Sequence, residues 1–347
     1  MPAPQPIPKL TEREKLILRA VVQHFILTAN PVGSRHIARK FGIDLSPATI
    51  RNVMSDLEEM GLLSHPHTSA GRMPSDTGYR FYVDDLMDLG ELTNQERESI
   101  DREIESVPAE LESVLDATSR VLASASQLLG IVVIPELQSA VLGRIELARL
   151  AERRLLVVIS LESGPMKTIM LELEQEMTEQ SVHEVTVALN RRLSGLTVGK
   201  IREQISERMK NMSETPQSLI RLFVESADEL FSFSSKNEHV KIGGRAQVIN
   251  QPEFSTPGSM RGIIELVEDK DIIIHLLQNS DAKGPIAITI GRENPDSRAK
   301  DLSVISADYK TNSSSGKLGV IGPTRMDYSR LTTLLEYTAR VVSKRLS

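Results

Sequence analysis

The chain has 347 residues, enough for two or three domains, and is 40 % apolar with only 3 % aromatic residues and no Trp, so its cores must be packed by Leu, Ile, Val and Met. With no Cys it has no disulfide, no thiolate metal site and no thiol nucleophile. The formal charge of −6 is uneven, because residues 1–80 carry ten Lys or Arg against seven acids, a local +3 on an otherwise acidic chain.

The opening MPAPQPIPKL lacks the apolar run of a signal peptide, and no stretch is long enough to span a bilayer, so a cytoplasmic protein without membrane contact is expected. Thr11-Glu12-Arg13-Glu14 reads as a capping box. The helix behind it is expected to bury Leu16, Ile17, Ala20, Val21, His24 or Phe25, and Leu27, and to stop before Asn30-Pro31. A short helix follows, with Ser34 as its cap, Ile37, Ala38 and Phe41 inward and Gly42 at its end.

After the tight link Gly42-Ile43-Asp44-Leu45 comes the most informative stretch, a helix from Ser46 to about Met60. Ser46 is a good N-cap and Pro47 suits the first helical position, where no N–H is needed. Ile50, Val53, Met54 and Leu57 recur at helical spacing and form one apolar face. The opposite face carries Ala48, Arg51, Asn52 and Ser55: small groups, one guanidinium fork and one amide, a set suited to base edges and phosphates. Two helices joined by a tight link read as a helix-turn-helix with the second as recognition helix. The competing reading of Arg51 is a surface ion pair with Asp56 or Glu58.

Gly61 ends that helix, Leu62-Leu63-Ser64 starts a short strand, Thr68–Gly71 turns the chain and Arg72-Met73-Pro74 returns antiparallel. Three helices and a basic-tipped hairpin make a winged helix. The wing carries His65, His67, Thr68, Ser69 and Arg72, expected at phosphates, with Arg72 a candidate for the minor groove. Ser34, Arg35, Ser46 and Thr49 complete the expected DNA-facing set. His65 and His67 lack further partners at metal spacing, so no metal or cofactor is expected.

Thr77–Leu89 reads as a helix packing Tyr79, Tyr82, Val83, Leu86 and Leu89 and joining this head to the body. A second capping box, Thr93–Glu96, starts the next helix. Another carries Leu111 to Leu129 and closes at Gly130. Strand-like runs follow at Ile131–Ile134, Val141–Leu150, Leu155–Leu161 and Thr168–Leu173, then helices from Thr178 to about Phe231. Beyond Gly243-Gly244 the reading is a helix near Ser259–Glu268, strands at Ile272–Leu277, Ile286–Ile290, Leu302–Tyr309 and Leu318–Ile321, and a last helix Tyr328–Leu346. Strands, helices, strands and a closing helix suggest an α+β body interrupted by a helical insertion.

Catalytic patterns fail. Ser313–Lys317 lacks the first glycine of a phosphate loop, and Leu318 stands where Ser or Thr must reach magnesium. His183-Glu184 has no second His at metalloprotease spacing, and no G-x-S-x-G elbow occurs. No enzyme activity is expected. At Gly322–Tyr328 the Arg and Asp could hold an anion or a partner, but shaping the start of the last helix, with Arg325 ion-paired, is the preferred reading.

The run PVGSRHIARKFGIDLSPATIRNVMSDLEEMGLLSHPHTSAGRMPSDTGYRFYVDDLM resembles the N-terminal domain of HrcA-type heat-inducible transcription repressors, as do IGRENP (Ile290–Pro295) and GVIGPTRMDY (Gly319–Tyr328) for the remainder. The resemblance implies a winged helix-turn-helix over 1–90, a GAF-like domain over 91–173 and 241–347, and an inserted, mainly helical dimerisation domain over 174–240. It further implies a homodimer on an inverted-repeat operator upstream of chaperone genes, released on heat stress and assisted by a GroEL-type chaperonin. The alternative is a ligand-gated regulator whose GAF-like domain senses a small molecule.

Overall fold

The computed structural model describes residues 9–66, 71–134, 140–162, 166–173, 175–210, 217–231, 240–278, 284–311 and 314–347. The chain packs as two units, one built from the chain up to Val133 together with Val240–Tyr309 and Lys317–Arg345, the other built on Ile134–His239.

The first unit opens with α1 (Glu12–Thr28), α2 (Ser34–Lys40) and α3 (Pro47–Glu59), then the hairpin β1 (Leu63–Ser64) and β2 (Met73–Pro74), in which Leu63 faces Pro74 and Ser64 faces Met73. The capping box at Thr11 forms: its hydroxyl accepts the Glu14 N–H and its own N–H donates to the Glu14 carboxylate. Helix α1 buries Ile17, Leu18, Val21, Val22, His24 and Phe25. Leu16 and Leu27, expected inside, are 47 % and 72 % exposed, because the helical turn puts both on the side away from the stripe of Ile17, Val21 and Phe25. Helix α4 (Asp76–Phe81) runs into a π-helical turn, Tyr82–Leu86. That widened turn ends the helix early and leaves Leu89, expected in the packed face, exposed.

Helices α5 (Asn94–Glu105) and α6 (Leu111–Ser126) lead into β3 (Leu129–Val133), whose five residues are all buried. Gly130 is therefore a strand residue and not a helix stop; Gln127, in left-handed conformation, ends α6. A Cβ at Gly130 would lie 2.4 Å from the Ser119 carbonyl oxygen, so this glycine lets α6 pack directly on the strand.

The second unit begins with β4 (Leu142–Ala151), β5 (Arg154–Leu161) and β6 (Met166–Glu172), a separate antiparallel sheet in that order. Helices α7 (Glu179–Leu193), α8 (Val198–Arg208), α9 (Gln217–Glu225) and α10 (Ala227–Leu230) complete it. One core joins Ile145, Leu155, Val157 and Ile159 of the sheet to Val185, Leu189, Ile201 and Phe223 of the helices. By packing, the second unit begins at Ile134, ahead of the insertion edge expected near residue 174. These strands need the apolar stripes of α7–α9 to cover their inner face, and they pack with those helices.

The first unit resumes with β7 (Val240–Gly243), α11 (Arg245–Ile249), α12 (Pro257–Glu268), α13 (Lys270–Gln278), β8 (Ile286–Ile290), β9 (Leu302–Lys310), β10 (Ser315–Pro323) and α14 (Tyr328–Leu346). Its sheet has the order β7-β3-β10-β9-β8. Leu129, Ile131 and Val133 share one core with Ile263, Leu266, Ile273 and Leu277. Ile272–Leu277, expected as a strand, is helical. Three consecutive Ile favour a strand locally, but Ile272, Ile273, Leu276 and Leu277 recur at helical spacing and bury one face. The short β7, which pairs with β3 through Ile242 and Ile131, is not among the sequence expectations.

Arg330 of α14 and Glu96 at the start of α5 tie two helices of this unit together, Nη2 to Oε1 at 2.5 Å. The Arg330 guanidinium, then the Thr93 backbone N–H and hydroxyl, hold the Glu96 carboxyl down at about 2, against an ordinary 4.5. A carboxyl depressed by folding contributes stability that is complete above its unfolded pKa and lost as pH falls toward the folded value. Glu96→Gln should therefore lower stability at neutral pH and flatten the loss of stability between about pH 4.5 and 2, read by urea denaturation at a series of pH values.

Candidate nucleic-acid interface

Helix α3 is held at its start by Ser46, whose hydroxyl accepts the Thr49 N–H at 3.1 Å and contacts the Thr49 hydroxyl at 2.9 Å. Ile50, Met54 and Leu57 are buried and Val53 half-buried. They face α1 and α2, which both pack on α3. Gly61, at φ +74°, then reverses the chain into the hairpin. This is the short, cap-started, one-sided helix that the spacing predicts.

The opposite face is open. Ala48, Arg51 and Asn52 are exposed, with Thr49 and Ser55 half-buried beside them. Neither Arg51 nor Asn52 forms a hydrogen bond or ion pair among the described residues, so the surface-pair reading of Arg51 is not what the structure shows. Glu58, one of the two acids that the surface-pair reading offers, is engaged elsewhere. Arg35 is exposed on the first turn of α2, next to half-buried Ser34. Ser34 does not cap that helix: Gly33 occupies the cap position without a side-chain hydrogen bond, and Ser34 is the first helical residue.

The wing differs most from expectation. Its Arg72 turns inward, Nη2 lying 2.7 Å from Glu58 Oε2 with both side chains only 23 % exposed. His65 Nδ1 contacts the other oxygen of the same carboxylate. The Arg72 backbone pairs with Val32 in both directions at 2.9 Å, adding a bridge from the α1–α2 link to the hairpin. In the free protein Arg72 is therefore a brace between recognition helix, link and wing, in place of a free minor-groove cation. His67, Thr68 and Ser69 lie outside the described residues.

Glu58 and Val32 are the residues that sequence reasoning missed. Glu58 lies at a helix end where acids are ordinary, and its partners arrive from a hairpin that periodicity cannot register. Behind the interface, His24 of α1 is buried edge-on to His36 of α2, ring centroids 4.7 Å apart. Burial first, then His36 and Lys40, push its pKa down, which favours the neutral ring.

Two family models match the chain: "Winged helix-turn-helix transcription repressor, HrcA DNA-binding" over residues 9–84 and "HrcA protein C terminal domain" over residues 112–332. The chain belongs to the HrcA family of heat-inducible transcription repressors. It is 40 % identical to the heat-inducible transcription repressor HrcA of Chlorobium phaeobacteroides (strain BS1), over 97 % of this chain and 99 % of that one. Identity to the HrcA of Chlorobaculum parvum is 41 %, over 97 % and 98 %. A crystal structure described only as that of a hypothetical protein covers 97 % of this chain and 99 % of its own, with a TM-score of 0.62 and 24 % identity, and so shares the fold. HrcA proteins are repressors and not enzymes. Among the described residues no helix is long and apolar enough to cross a membrane.

If Glu58 holds the wing, Glu58→Ala releases Arg72 and His65. Hydrogen exchange of the Val32 and Arg72 amides should then accelerate, while that of Ile50 and Met54 in α3 changes little. Unchanged protection at Val32 and Arg72 would remove the bracing role.

Proposed function

We propose that the chain is a cytoplasmic homodimeric repressor of chaperone operons that binds an inverted-repeat operator through its two winged-helix heads. The observation that carries this is the exposed face of α3, where Arg51 and Asn52 stand unpaired among the described residues on a capped, packed helix. Arg51 reads a guanine edge or a phosphate and Asn52 an adenine edge or a phosphate, while Ala48 and Thr49 offer methyl contact to thymine. Ser34, Arg35, Ser46 and Ser55 position the head on the backbone. His65, His67, Thr68 and Ser69 add phosphate contacts from a wing braced by Arg72.

A two-fold dimer matches an inverted repeat. The outer face of the β4–β5–β6 sheet supports self-association. Ala148, Leu156 and Met170 form one cross-strand row there, next to Glu146, Val158 and Thr168, then Arg144, Ser160 and Met166. Met166 and Met170 are 71 % and 52 % exposed and, with Ala148, Leu156 and Val158, make the apolar part of a face that also carries the Arg144–Glu146 ion pair, a mixed surface suited to a second copy of the same chain. The part of the first unit that follows the winged-helix head serves as the GAF-like body, and the second unit as the inserted dimerisation domain.

Heat release follows from mass action. Monomers lose the avidity that two half-sites give, and the exposed methionines of their uncovered face offer a surface by which a chaperonin binds the chain and returns it to the folded pool. The alternative, a small-molecule sensor, requires a pocket. The open groove by Leu173, Met177, Leu219 and Leu222, of about 120 Å³, lies in the second unit and not in the GAF-like body where that reading places its ligand.

The test is a gel shift with purified protein on chaperone-operon promoter DNA, with and without chaperonin, before and after a heat cycle. Arg51→Ala should cost about 1–3 kcal/mol of operator affinity and relax preference at one base position. Unaltered affinity and base preference would refute its reading role. Equal binding before and after heating, with no chaperonin effect, would refute the release mechanism.

A further inference from the structure

Between the recognition helix and the body lies α4, and both of its ends are bound. Towards α3, the Ser75 hydroxyl donates to the Gly61 carbonyl oxygen at 2.5 Å and the Ser75 N–H donates to the Leu62 carbonyl oxygen at 3.1 Å. The exit of α3 and the start of α4 thus move together.

Towards the body, Arg80 closes a fork on Glu293: Nε donates to Oε1 at 2.8 Å and Nη2 to Oε2 at 2.5 Å. The same Nη2 donates to the Ile288 carbonyl oxygen at 2.7 Å, and Nη1 to Asp84 at 3.2 Å. Glu293 is itself fixed, since its Oε2 accepts the Ile290 N–H at 2.8 Å at the end of β8. A bidentate arginine–carboxylate pair defines orientation as well as distance.

One helical turn earlier, Asp76 accepts the Arg292 N–H at 3.1 Å. Gly291 holds φ +56°, and a Cβ there would lie 2.4 Å from the Asp76 carboxyl carbon, so the body loop sits against the first turn of α4. Asp76 and Arg80 are four residues apart and lie on one face of α4. Two attachments on one face oppose rotation of the helix as well as its lift from the body.

We propose that Arg80 and Glu293 are positioning residues that set the orientation of the recognition helix on the body, and through it the half-site spacing that the repressor accepts. The proposal rests on the dimeric, inverted-repeat reading above. A head on a loose tether reaches its second half-site over a range of separations. A head fixed to the body reaches it only where groove and recognition helix coincide, and avidity disappears when geometry forbids simultaneous engagement. Neither residue reaches the exposed face of α3, so their loss changes where a head can dock and not what it reads.

The experiment measures binding of full-length wild type, Arg80→Ala, Arg80→Lys and Glu293→Gln to three DNAs. These are the natural inverted repeat, the same repeat with one half-site moved by about 5 bp, half a helical turn, and a single half-site. Circular dichroism and sedimentation report folding and dimer formation. Wild type should prefer the natural spacing by roughly 10–100-fold. Arg80→Ala and Glu293→Gln should narrow that preference to about threefold or less while single half-site affinity stays within about twofold. Arg80→Lys, which keeps the charge and loses the fork, should fall between.

Folded, dimeric variants that keep the wild-type spacing preference would overturn the proposal. So would a parallel fall in single half-site affinity, or loss of folding in both Arg80→Ala and Glu293→Gln, because the pair would then be supporting the head itself. Wild type that binds no inverted repeat would instead reject the operator reading on which the proposal rests.

Discussion

A helix of thirteen residues is marginal in water by itself, and the DNA-facing surface of this protein depends on how α3 is held. Ile50, Met54 and Leu57 anchor one side in the head's core, Ser46 closes the start, and Glu58 near the end ties down the hairpin. With those constraints in place the polar side needs no partner. Arg51 and Asn52 stand in solvent, and Glu58, one of the two acids that could pair with Arg51, is occupied by Arg72 and His65. The same arrangement commits the wing's Arg72 to an internal ion pair and leaves the recognition face unobstructed.

Fixation of the head extends beyond Arg80 and Glu293. Arg325, in the Gly322–Tyr328 turn, pairs with Glu253 at 2.5 Å and donates to the Ile26 carbonyl oxygen in the last turn of α1 at 2.8 Å. Its distinctive sequence thus has a structural use, as the preferred reading of that turn has it: Asp327 accepts the Arg330 N–H at 3.1 Å to start α14, and Arg325 reaches across to the head. The Ser329 hydroxyl donates to the Asp88 carbonyl oxygen, and the Thr333 hydroxyl to that of Gly90, along the connection that follows α4. Charged side chains with polar backbone partners do this work, in a chain whose aromatic residues are few.

The head was legible in the sequence because its signals are local. Capping at Thr11 and Ser46, the spacing of Ile50, Met54 and Leu57, and the stop at Gly61 each lie within a few residues of the element they define. What the sequence hid depends on distant partners. Ile272–Leu277 looks like a strand until its burial against the β3 sheet is known. β7 is four residues long and exists through its pairing with β3. Residues 142–172 alternate as strands would, but alternation does not say which helices cover them, and so it does not show that they pack with α7–α9 in the second unit. Arg72 reads as a free wing cation because Glu58 is fourteen residues away in sequence.

The central claim is that two copies of the α3 face engage two symmetry-related half-sites. Hydroxyl-radical footprinting of the full-length protein on chaperone-operon promoter DNA tests it most directly. The account predicts two protected patches related by a dyad at the centre of an inverted repeat, both weakened together by Arg51→Ala. A single protected patch, or uniform protection that follows no repeat, would contradict it.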